Sequence, residues 1–396
     1  MAAVSLDRIR DRLRAAFWLI PSACALVAVM LAISLVILDR GVGDSATRYL
    51  FPGPPEGARS FLGAIIGAMI SFTGLVFSIT VVVLVLTSGQ FSPRVLRRFL
   101  RDRTIQWTLG VFVATFLFAM TVLRTVLGTD GSGAFVPRIA VTFAFVLVLV
   151  SVGFFIRYIH HITTRIQVAN IITDIGRETR QVLEARYPSD GAAELPAPHL
   201  ASATVEVTAP RSGVLTSVAE RRIAARACRD GVVVVVVPRI GDFVPSGAPL
   251  CVVHGDGPTG WILESVALDD ERTMEQDVAF GFRQLVDIAE RALSPSTNDP
   301  TTACQAIDAL HDLLRRIVTR ALPTGRYAGA GGEVGLVVPQ YSGADYVDVA
   351  LEEVWRYGAD STQVPDRLAV LLRDLRTVAR PEHLPAVERW CSRVLA

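Results

Sequence analysis

The sequence predicts an α-helical membrane protein with four transmembrane helices and a cytoplasmic α+β region. Long uncharged runs are confined to residues 1–160, although hydrophobic residues make up 51% of all 396. Short β-branched segments with Pro and Gly between them follow, and helical periodicity then extends to the C-terminus. We therefore expect a transmembrane domain at 1–160, a connecting helix and linker at 161–200, a β module at 201–267 and a helical region at 268–396.

Each predicted membrane helix is a run of about 20 or more apolar residues, enough at about 1.5 Å per residue to cross a core of about 30 Å. The four runs are Ala15–Leu38, Phe61–Leu86, Ile105–Leu127 and Val136–Tyr158. Arginines precede the first run, as in a signal peptide, but the run is much longer than the apolar part of such a peptide. We expect it to be retained as a helix.

The arginines of the short loops predict the orientation. Eleven arginines lie before the first run, between the second and third, and at the end of the fourth, against four in the other two loops. Because cytoplasmic loops are enriched in Lys and Arg, both termini should be cytoplasmic. Arg124 lies near the end of the third run, where it can snorkel to the membrane surface or, alternatively, take a gating or anion-binding role.

Small residues recur along one stripe of the second predicted helix, at spacings of three and four: Gly63, Gly67, Ser71, Gly74 and Ser78. One interpretation is close packing against a neighbouring helix, because small residues let two backbones approach in a membrane. The other is a face that lines a pore or a substrate path, with the two serine hydroxyls in an otherwise apolar wall. The pattern does not choose between them.

An arginine-rich segment follows a predicted turn at Thr87–Pro93. Ser92 and Pro93 suit an N-cap and a first helical position, and the basic residues then share one side of a short helix: Arg94, Arg97, Arg98 and Arg101. Such a helix should lie in the cytoplasmic interface among anionic lipid headgroups. Plain determination of topology, or an arginine vestibule that collects anions, would explain the same pattern.

From Ile159 a mixed-polarity helix should continue out of the membrane to about Ala185, and a Pro- and Gly-containing linker follows. Five β-branched segments then read as strands, namely Ala203–Val207, Gly213–Val218, Val232–Val237, Leu250–Val253 and Trp261–Val266. We expect Val232–Val237 to be buried on both faces.

Within this region, Gly241–Leu250 resembles the G-D-x-V-x-x-G-x-x-L turn of barrel-sandwich (lipoyl-like) modules, and Ala209–Leu215 resembles their first half. The resemblance implies a compact β scaffold. Modules that carry a prosthetic group attach it to a lysine, and all 39 basic residues of this chain are arginine. A carrier function is therefore not expected.

The last third should be helical. Glu271–Leu293 has helical periodicity and an acidic start, and Asp299 with Pro300 is a good N-cap and first position for Thr301–Arg320. Three further helices complete the bundle, at Tyr346–Tyr357, Pro365–Val378 and His383–Val394. The Gly-rich stretch Gly325–Gly332 lacks the lysine of a phosphate loop and is expected to be a flexible connector.

Two motifs resemble a bacterial family of predicted membrane proteins called domain of unknown function 2254. One contains Ser88, Gly89, Gln90, Phe91, Ser92 and Pro93, and the other contains Asn298, Asp299, Pro300 and Thr301. The resemblance spans nearly the whole chain and implies a bacterial inner-membrane protein without an assigned activity.

Three functional hypotheses remain at this point: an oligomeric channel or transporter with a cytoplasmic gating or assembly domain, a non-transporting scaffold or sensor with a cytoplasmic partner, and an enzyme. Enzyme candidates are Asp287, Glu290, Asn298 and Asp299, with His311 near Asp308 and Asp312. Asp287 and Arg291 are more simply an intrahelical pair, and no nucleophile–base pattern stands out. The cysteines lack metal-ligand spacing. We therefore expect a homo-oligomer in a bilayer with anionic headgroups, with no enzymatic activity, metal, cofactor or nucleic-acid partner.

Overall fold

A computed structural model describes residues 18–41, 51, 53–90, 103–126, 135–165, 167–188 and 195–395, with backbone only for 83–90 and 164–165. The chain divides into two compact units between Gln167 and Val168. The first unit contains α1 (Leu19–Gly41), α2 (Pro55–Gln90), α3 (Arg103–Leu123) and α4 (Arg138–Arg165). All four are long and apolar enough to cross a membrane, so the four predicted helices are confirmed.

The bounds of the second helix correct the sequence prediction at both ends. α2 begins at Pro55, inside the predicted loop, and continues through Gln90, so the turn predicted from Thr87 is wrong as far as residue 90. Pro55 occupies the first helical position, where its missing N–H does no harm, and the next proline that would break the helix is Pro93. Phe91–Pro93 and Arg94, Arg97, Arg98 and Arg101 lie outside the described residues.

The central helix of this unit is α3, which contacts each of the other three helices. Its apolar span is 56% buried, against 22% for each of the others. Gly110 explains the close approach of α1, because a Cβ at Gly110 would lie 3.0 Å from the Cys24 sulfur and 3.5 Å from the Pro21 Cα. α2 is therefore a peripheral helix of its own bundle.

Polar groups hold the helix ends together on one side of the bundle. Asp39 at the end of α1 accepts hydrogen bonds from the backbone N–H groups of Ile139 and Ala140, both 3.0 Å long, and so caps α4. Arg59 of α2 donates to the Val126 carbonyl just beyond α3 at 2.9 Å. These contacts satisfy terminal backbone groups that a helix cannot satisfy itself.

The second unit begins with α5 (Val168–Arg186), so the single helix predicted from Ile159 to Ala185 is two helices. Eight short strands follow, at β1 (Thr204–Thr208), β2 (Gly213–Val218), β3 (Val233–Val236), β4 (Phe243–Val244), β5 (Pro249–His254), β6 (Val266–Asp269), β7 (Arg326–Ala328) and β8 (Val334–Val337). They form a five-stranded sheet in the order β1-β5-β3-β8-β7 and a three-stranded sheet in the order β4-β2-β6. The parallel pairing of β3 with β8 ties the β region to a later part of the chain.

Four of the five predicted strands are confirmed. Trp261–Val266 is wrong, because Leu263–Ser265 form a 3-10 turn and β6 starts only at Val266. The sequence reasoning also missed α6 (Glu220–Arg229), whose buried side packs on β3 and β8. In β3 the fully buried valines alternate with half-buried ones, so burial on both faces is only partial.

The Gly-rich stretch is a hairpin rather than a flexible connector. β7 lies within the stretch and β8 begins just after it, and the two strands pair in antiparallel register from Arg326 opposite Val337 to Ala328 opposite Val334. Gly335 lies against α6, where a Cβ would overlap the Ala224 carbonyl and the Cys228 sulfur. Gly335 permits this close packing, and it interrupts a strand of only four residues, which the sequence reasoning therefore did not recognise.

The remaining helices are α7 (Val278–Ala292), α8 (Pro300–Val318), α9 (Gly343–Gly358), α10 (Gln363–Val378) and α11 (Leu384–Val394). The acidic start predicted at Glu271 is wrong. Asp277 caps α7 instead, by accepting a 3.0 Å hydrogen bond from the Phe280 N–H. The Asp299–Pro300 start of α8 and the last three helices are confirmed, with ends shifted by a few residues.

Candidate functional site

The small residues of α2 lie on the exposed surface of the membrane unit. All five are exposed, whereas the buried residues of the same helix include Leu62, Ile65, Met69, Val76 and Thr80. At about 100° per residue the two sets lie on opposite sides of α2. A Cβ added at Gly63, Gly67 or Gly74 would meet no atom within 4 Å. The stripe therefore faces away from the helices of its own chain.

Larger apolar side chains border this stripe on both sides. Ile70 and Phe77 are 58% and 59% exposed on one side, and Leu75 and Val82 are 46% and 53% exposed on the other. A ridge–groove–ridge surface results, and we call it the small-residue face of α2. Ridges packing into grooves are the usual geometry of helix pairs, and small residues in the groove allow the closest approach in lipid.

The Ser71 hydroxyl of this face is already hydrogen-bonded. Ser71 donates a 3.1 Å hydrogen bond to the Gly67 carbonyl one turn earlier, so its hydroxyl proton is used within the helix. Its oxygen remains an acceptor. The face is therefore only weakly polar, which suits contact with another helix and offers few donors to a solute.

Two pairs of hydroxyl groups form hydrogen bonds between helices inside the bundle. The hydroxyls of Thr80 and Tyr158 lie 2.8 Å apart between α2 and α4, and those of Thr115 and Ser151 lie 2.9 Å apart between α3 and α4. Apart from Asp39 at one end, the buried polar side chains described in this unit are uncharged. Arg124 lies exposed in the turn that follows α3. Ionisable groups thus sit at the helix ends, where they can reach water.

The motif residues of the second unit form a tight turn between α7 and α8. Asn298 has a positive φ of 45°, which asparagine tolerates better than most residues. Asp299 accepts hydrogen bonds from the Thr302 N–H at 3.0 Å and from the Thr302 hydroxyl at 2.6 Å. These bonds lower the pKa of Asp299 below its ordinary value. Ser88, Gly89 and Gln90 of the other motif form the last helical residues of α2.

Asp287, Glu290 and Asp308, three acidic enzyme candidates, form ion pairs with arginine side chains. Asp287 accepts a 2.7 Å hydrogen bond from Arg283, which also lies 3.7 Å from Glu290 and reaches Glu353 on α9. His311 pairs with Asp374 of α10 at 2.8 Å, not with the acids flanking it on α8. Asp308 is hydrogen-bonded to Arg367. These contacts join α7 to α9 and α8 to α10.

A buried charge pair, Arg272 with Asp277, lies between the end of β6 and the start of α7 and packs against the turn before β4. Arg272 donates from Nε to the Asp277 carboxylate at 2.8 Å, and Asp277 is only 3% exposed. Burial raises the pKa of Asp277 above its ordinary value, although Arg272 opposes this shift. Gly241, with a φ of 98°, lies directly against both side chains. The first glycine of the lipoyl-like turn is thus needed for backbone conformation and for space.

The sequence reasoning missed a cleft of about 320 Å³ at the end of α8. It is lined by Asp312, Arg315, Arg316, Thr319 and Arg320. The spacing of these arginines on one helix was a usable signal, but their partners come from α5 and α10. Within the ranges that the structure describes, no three His, Cys, Asp or Glu side chains are grouped to hold a metal ion.

Comparisons with known proteins agree with the membrane character of the first unit. The sequence model of a family described as "Predicted membrane protein (DUF2254)" matches residues 14–374. Uncharacterized proteins of Mycobacterium bovis and Mycobacterium tuberculosis are each 34% identical over 385 residues, which is 94% of this chain and 73% of theirs. No solved structure gives a significant match.

Proposed function

Because the chain belongs to the family of predicted membrane proteins DUF2254, we propose that it forms a homo-oligomeric channel or transporter in the bacterial inner membrane. Both termini face the cytoplasm in this proposal. The α+β unit then gates or assembles the oligomer from the cytoplasmic side, and its barrel-sandwich-like β region serves as a rigid scaffold. The arginine-rich segment of Arg94, Arg97, Arg98 and Arg101 lies among anionic headgroups.

The observation that carries the proposal is the exposed small-residue face of α2. A helix that packs in its own bundle through one side and presents glycine and serine on the opposite side is suited to a second helix contact. In a homo-oligomer that second helix is α2 of another protomer, or another helix of that protomer. The contact would bury Gly67 and Gly74 under the flanking Ile70 and Phe77.

The packed interior of the bundle supports a path between protomers rather than through one. Thr115 and Ser151 hydrogen-bond each other at the middle of α3 and α4, and the large buried side chains Phe112 and Phe118 fill the space around α3. A solute crossing within a protomer would have to displace these contacts. An oligomer axis bordered by small-residue faces leaves the bundle intact.

Flux measurements in liposomes test the channel directly. The purified protein should pass ions or a small solute, and the double substitution Ser71→Leu and Ser78→Leu should abolish the flux because it fills the small-residue face. Ala68→Leu is the matched control, since Ala68 is exposed on α2 but lies about 100° around the helix from Gly67. Flux no greater than that of empty liposomes under every gradient would contradict transport.

A non-transporting scaffold or sensor is the second candidate, and one observation favours it. Two pairs of hydroxyl groups inside the bundle bond each other, and the Ser71 hydroxyl is bonded within its helix. Transport sites usually present ionisable or free polar groups near the middle of the membrane. A scaffold predicts that the serine-to-leucine protein retains its cytoplasmic partner in a pull-down while no variant gives flux.

A further inference from the structure

The cleft at the end of α8 contains a half-buried arginine without an acidic partner. Arg320 donates from Nη1 to the backbone carbonyl of Tyr187 at 2.6 Å, and no carboxylate pairs with it among the residues the structure describes. Guanidinium groups that leave bulk water normally gain a carboxylate or another anion. Arg320 therefore brings an uncompensated positive charge to the cleft.

The only acid lining the cleft is already neutralised. Asp312 accepts a hydrogen bond from Arg180 of α5 at 2.7 Å and another from Arg316 at 3.3 Å. Burial alone would raise the pKa of Asp312, but these bonds outweigh it and lower the pKa. Arg316 also pairs with Glu184 at 3.1 Å, so Asp312 and Glu184 are balanced by Arg180 and Arg316 and leave no negative charge to offset Arg320.

The remaining N–H groups of the arginines are available to a ligand. A guanidinium has five N–H donors in a planar fork. Arg315 uses one on Asp374, Arg316 uses two and Arg320 uses one within the described structure. Two or more forks around one cavity match the oxygens of a phosphate group.

The C-terminal end of a helix usually repels anions. At the C-terminal end of α8, however, several carbonyl groups already accept hydrogen bonds. The Arg315 carbonyl accepts from the Thr319 hydroxyl at 2.8 Å, the Val318 carbonyl from the Arg380 N–H at 2.9 Å, and the Arg320 carbonyl from His383 Nε2 at 2.9 Å. The partial negative charge of the α8 terminus is thereby reduced inside the cleft. The guanidinium groups dominate the local field.

We propose that this cleft binds a phosphate-class anion with at least two negative charges, supplied either as a free phosphate compound or as a lipid headgroup. The site lies apart from the small-residue face and does not depend on the proposed transport. Three contacts join the cleft to α5 and the residue after it: Asp312 accepts from Arg180, Arg316 donates to Glu184, and Arg320 donates to the Tyr187 carbonyl. Two residues separate the start of α5 from the end of α4. Ligand binding would therefore fix α8 against the helix that follows the last membrane span.

Pyrophosphate is the probe for the free ligand. Isothermal titration of the full-length protein in neutral detergent at fixed ionic strength should give saturable binding. The double substitution Arg315→Gln and Arg320→Gln should weaken it by roughly tenfold or more, the effect expected on removing hydrogen bonds to a charged group. Arg389→Gln is the control, because Arg389 is an exposed arginine paired with Asp348 away from the cleft. Circular dichroism of each variant checks that it folds. Arg320→Lys, which keeps the charge, should bind pyrophosphate with an affinity between those of the unchanged protein and the double variant.

A second arm identifies a lipid source. Native mass spectrometry of the protein from phosphatidylglycerol-containing nanodiscs should detect retained phosphatidylglycerol if the ligand is a headgroup, and the double substitution should abolish that retention. Pyrophosphate binding without lipid retention points to a free phosphate compound. The proposal is overturned if neither probe binds, or if the folded double variant binds as well as the unchanged protein.

Discussion

The hydroxyl groups of Thr80 on α2 and Tyr158 on α4 lie 2.8 Å apart in the membrane unit, and both are fully or nearly buried. Each also reaches the Val76 carbonyl, at 2.7 Å from Thr80 and 3.0 Å from Tyr158. Three polar atoms from two helices thus satisfy one another inside the bundle. The pair attaches the peripheral helix α2 to the bundle near the end of its span.

Tyr158→Phe should destabilise the membrane unit by removing this shared hydrogen bond. Hydrogen bonds between membrane helices contribute about 0.6 to 2 kcal/mol, so the free energy of unfolding should fall by that amount. Reversible unfolding in mixed micelles with increasing dodecyl sulfate measures the change. Tyr357→Phe, at an exposed tyrosine of α9, should have no measurable effect, and an equal loss in both variants would contradict the role assigned to the pair.

The cap of α8 should make stability depend on pH. The folded pKa of Asp299 is lowered from its ordinary value of 3.8, chiefly by the Thr302 hydroxyl hydrogen bond. Because the charged form stabilises the fold, the contribution is complete above pH 3.8 and is lost as the pH falls through the folded pKa. The Asp299→Asn variant should keep the cap, and its melting temperature should fall less steeply at acid pH than that of the unchanged protein. The Asp299→Ala variant should have a free energy of unfolding about 1 kcal/mol lower at neutral pH. If neither substitution changes how stability falls at acid pH, the assignment is contradicted.

Gly241→Ala should destabilise the second unit more than Gly231→Ala. Both glycines have positive φ, 98° and 67°, so both substitutions introduce backbone strain of roughly 1 kcal/mol or more. Only at Gly241 would the new Cβ overlap the Arg272 and Asp277 side chains, whereas Gly231 has open space. The φ of 98° is also further from the left-handed region that alanine tolerates, so Gly241→Ala should have the lower melting temperature. Equal decreases in melting temperature would contradict the steric role assigned to Gly241.

The sequence was a good guide wherever one local pattern decides the structure. The four membrane helices follow from apolar length alone, because only a helix satisfies every backbone group in lipid. The start of α8 follows from Asp299 and Pro300, whose side chains act within one turn. The same reasoning placed α9, α10 and α11, since their apolar residues recur at helical spacing.

What the sequence could not supply is the choice of partner. Periodicity shows that Gly67 and Gly74 share a face, but not whether α3 or the surroundings meet that face. The arginine cleft combines Arg320 with Tyr187, which is 133 positions away in the chain. The strand β8 was hidden because Gly335 looks like part of a loop until α6 is packed against it.

Orientation is a separate prediction, which rests on the arginine distribution of the loops. A fluorescent protein fused to the C-terminus should be fluorescent in bacterial cells, and alkaline phosphatase inserted in the loop after Gly41 should be active outside the cytoplasm. Phosphatase fused to the C-terminus is the control and should be inactive. The reverse pattern would place the α+β unit outside the cytoplasm and contradict the proposed arrangement.

Cysteine cross-linking tests the small-residue face of α2 most directly. The five native cysteines are replaced by alanine or serine, and Gly67→Cys, Gly74→Cys or Ala68→Cys is introduced one at a time. If protomers meet along this face, oxidation in native membranes should give disulfide-linked dimers at Gly67→Cys and Gly74→Cys, because a close helix contact brings their Cβ atoms within about 4.5 Å. Ala68→Cys, exposed on the same helix but about 100° around it from Gly67, should cross-link much less. Monomers at both glycine positions, or equal cross-linking at Ala68→Cys, would contradict assembly through α2.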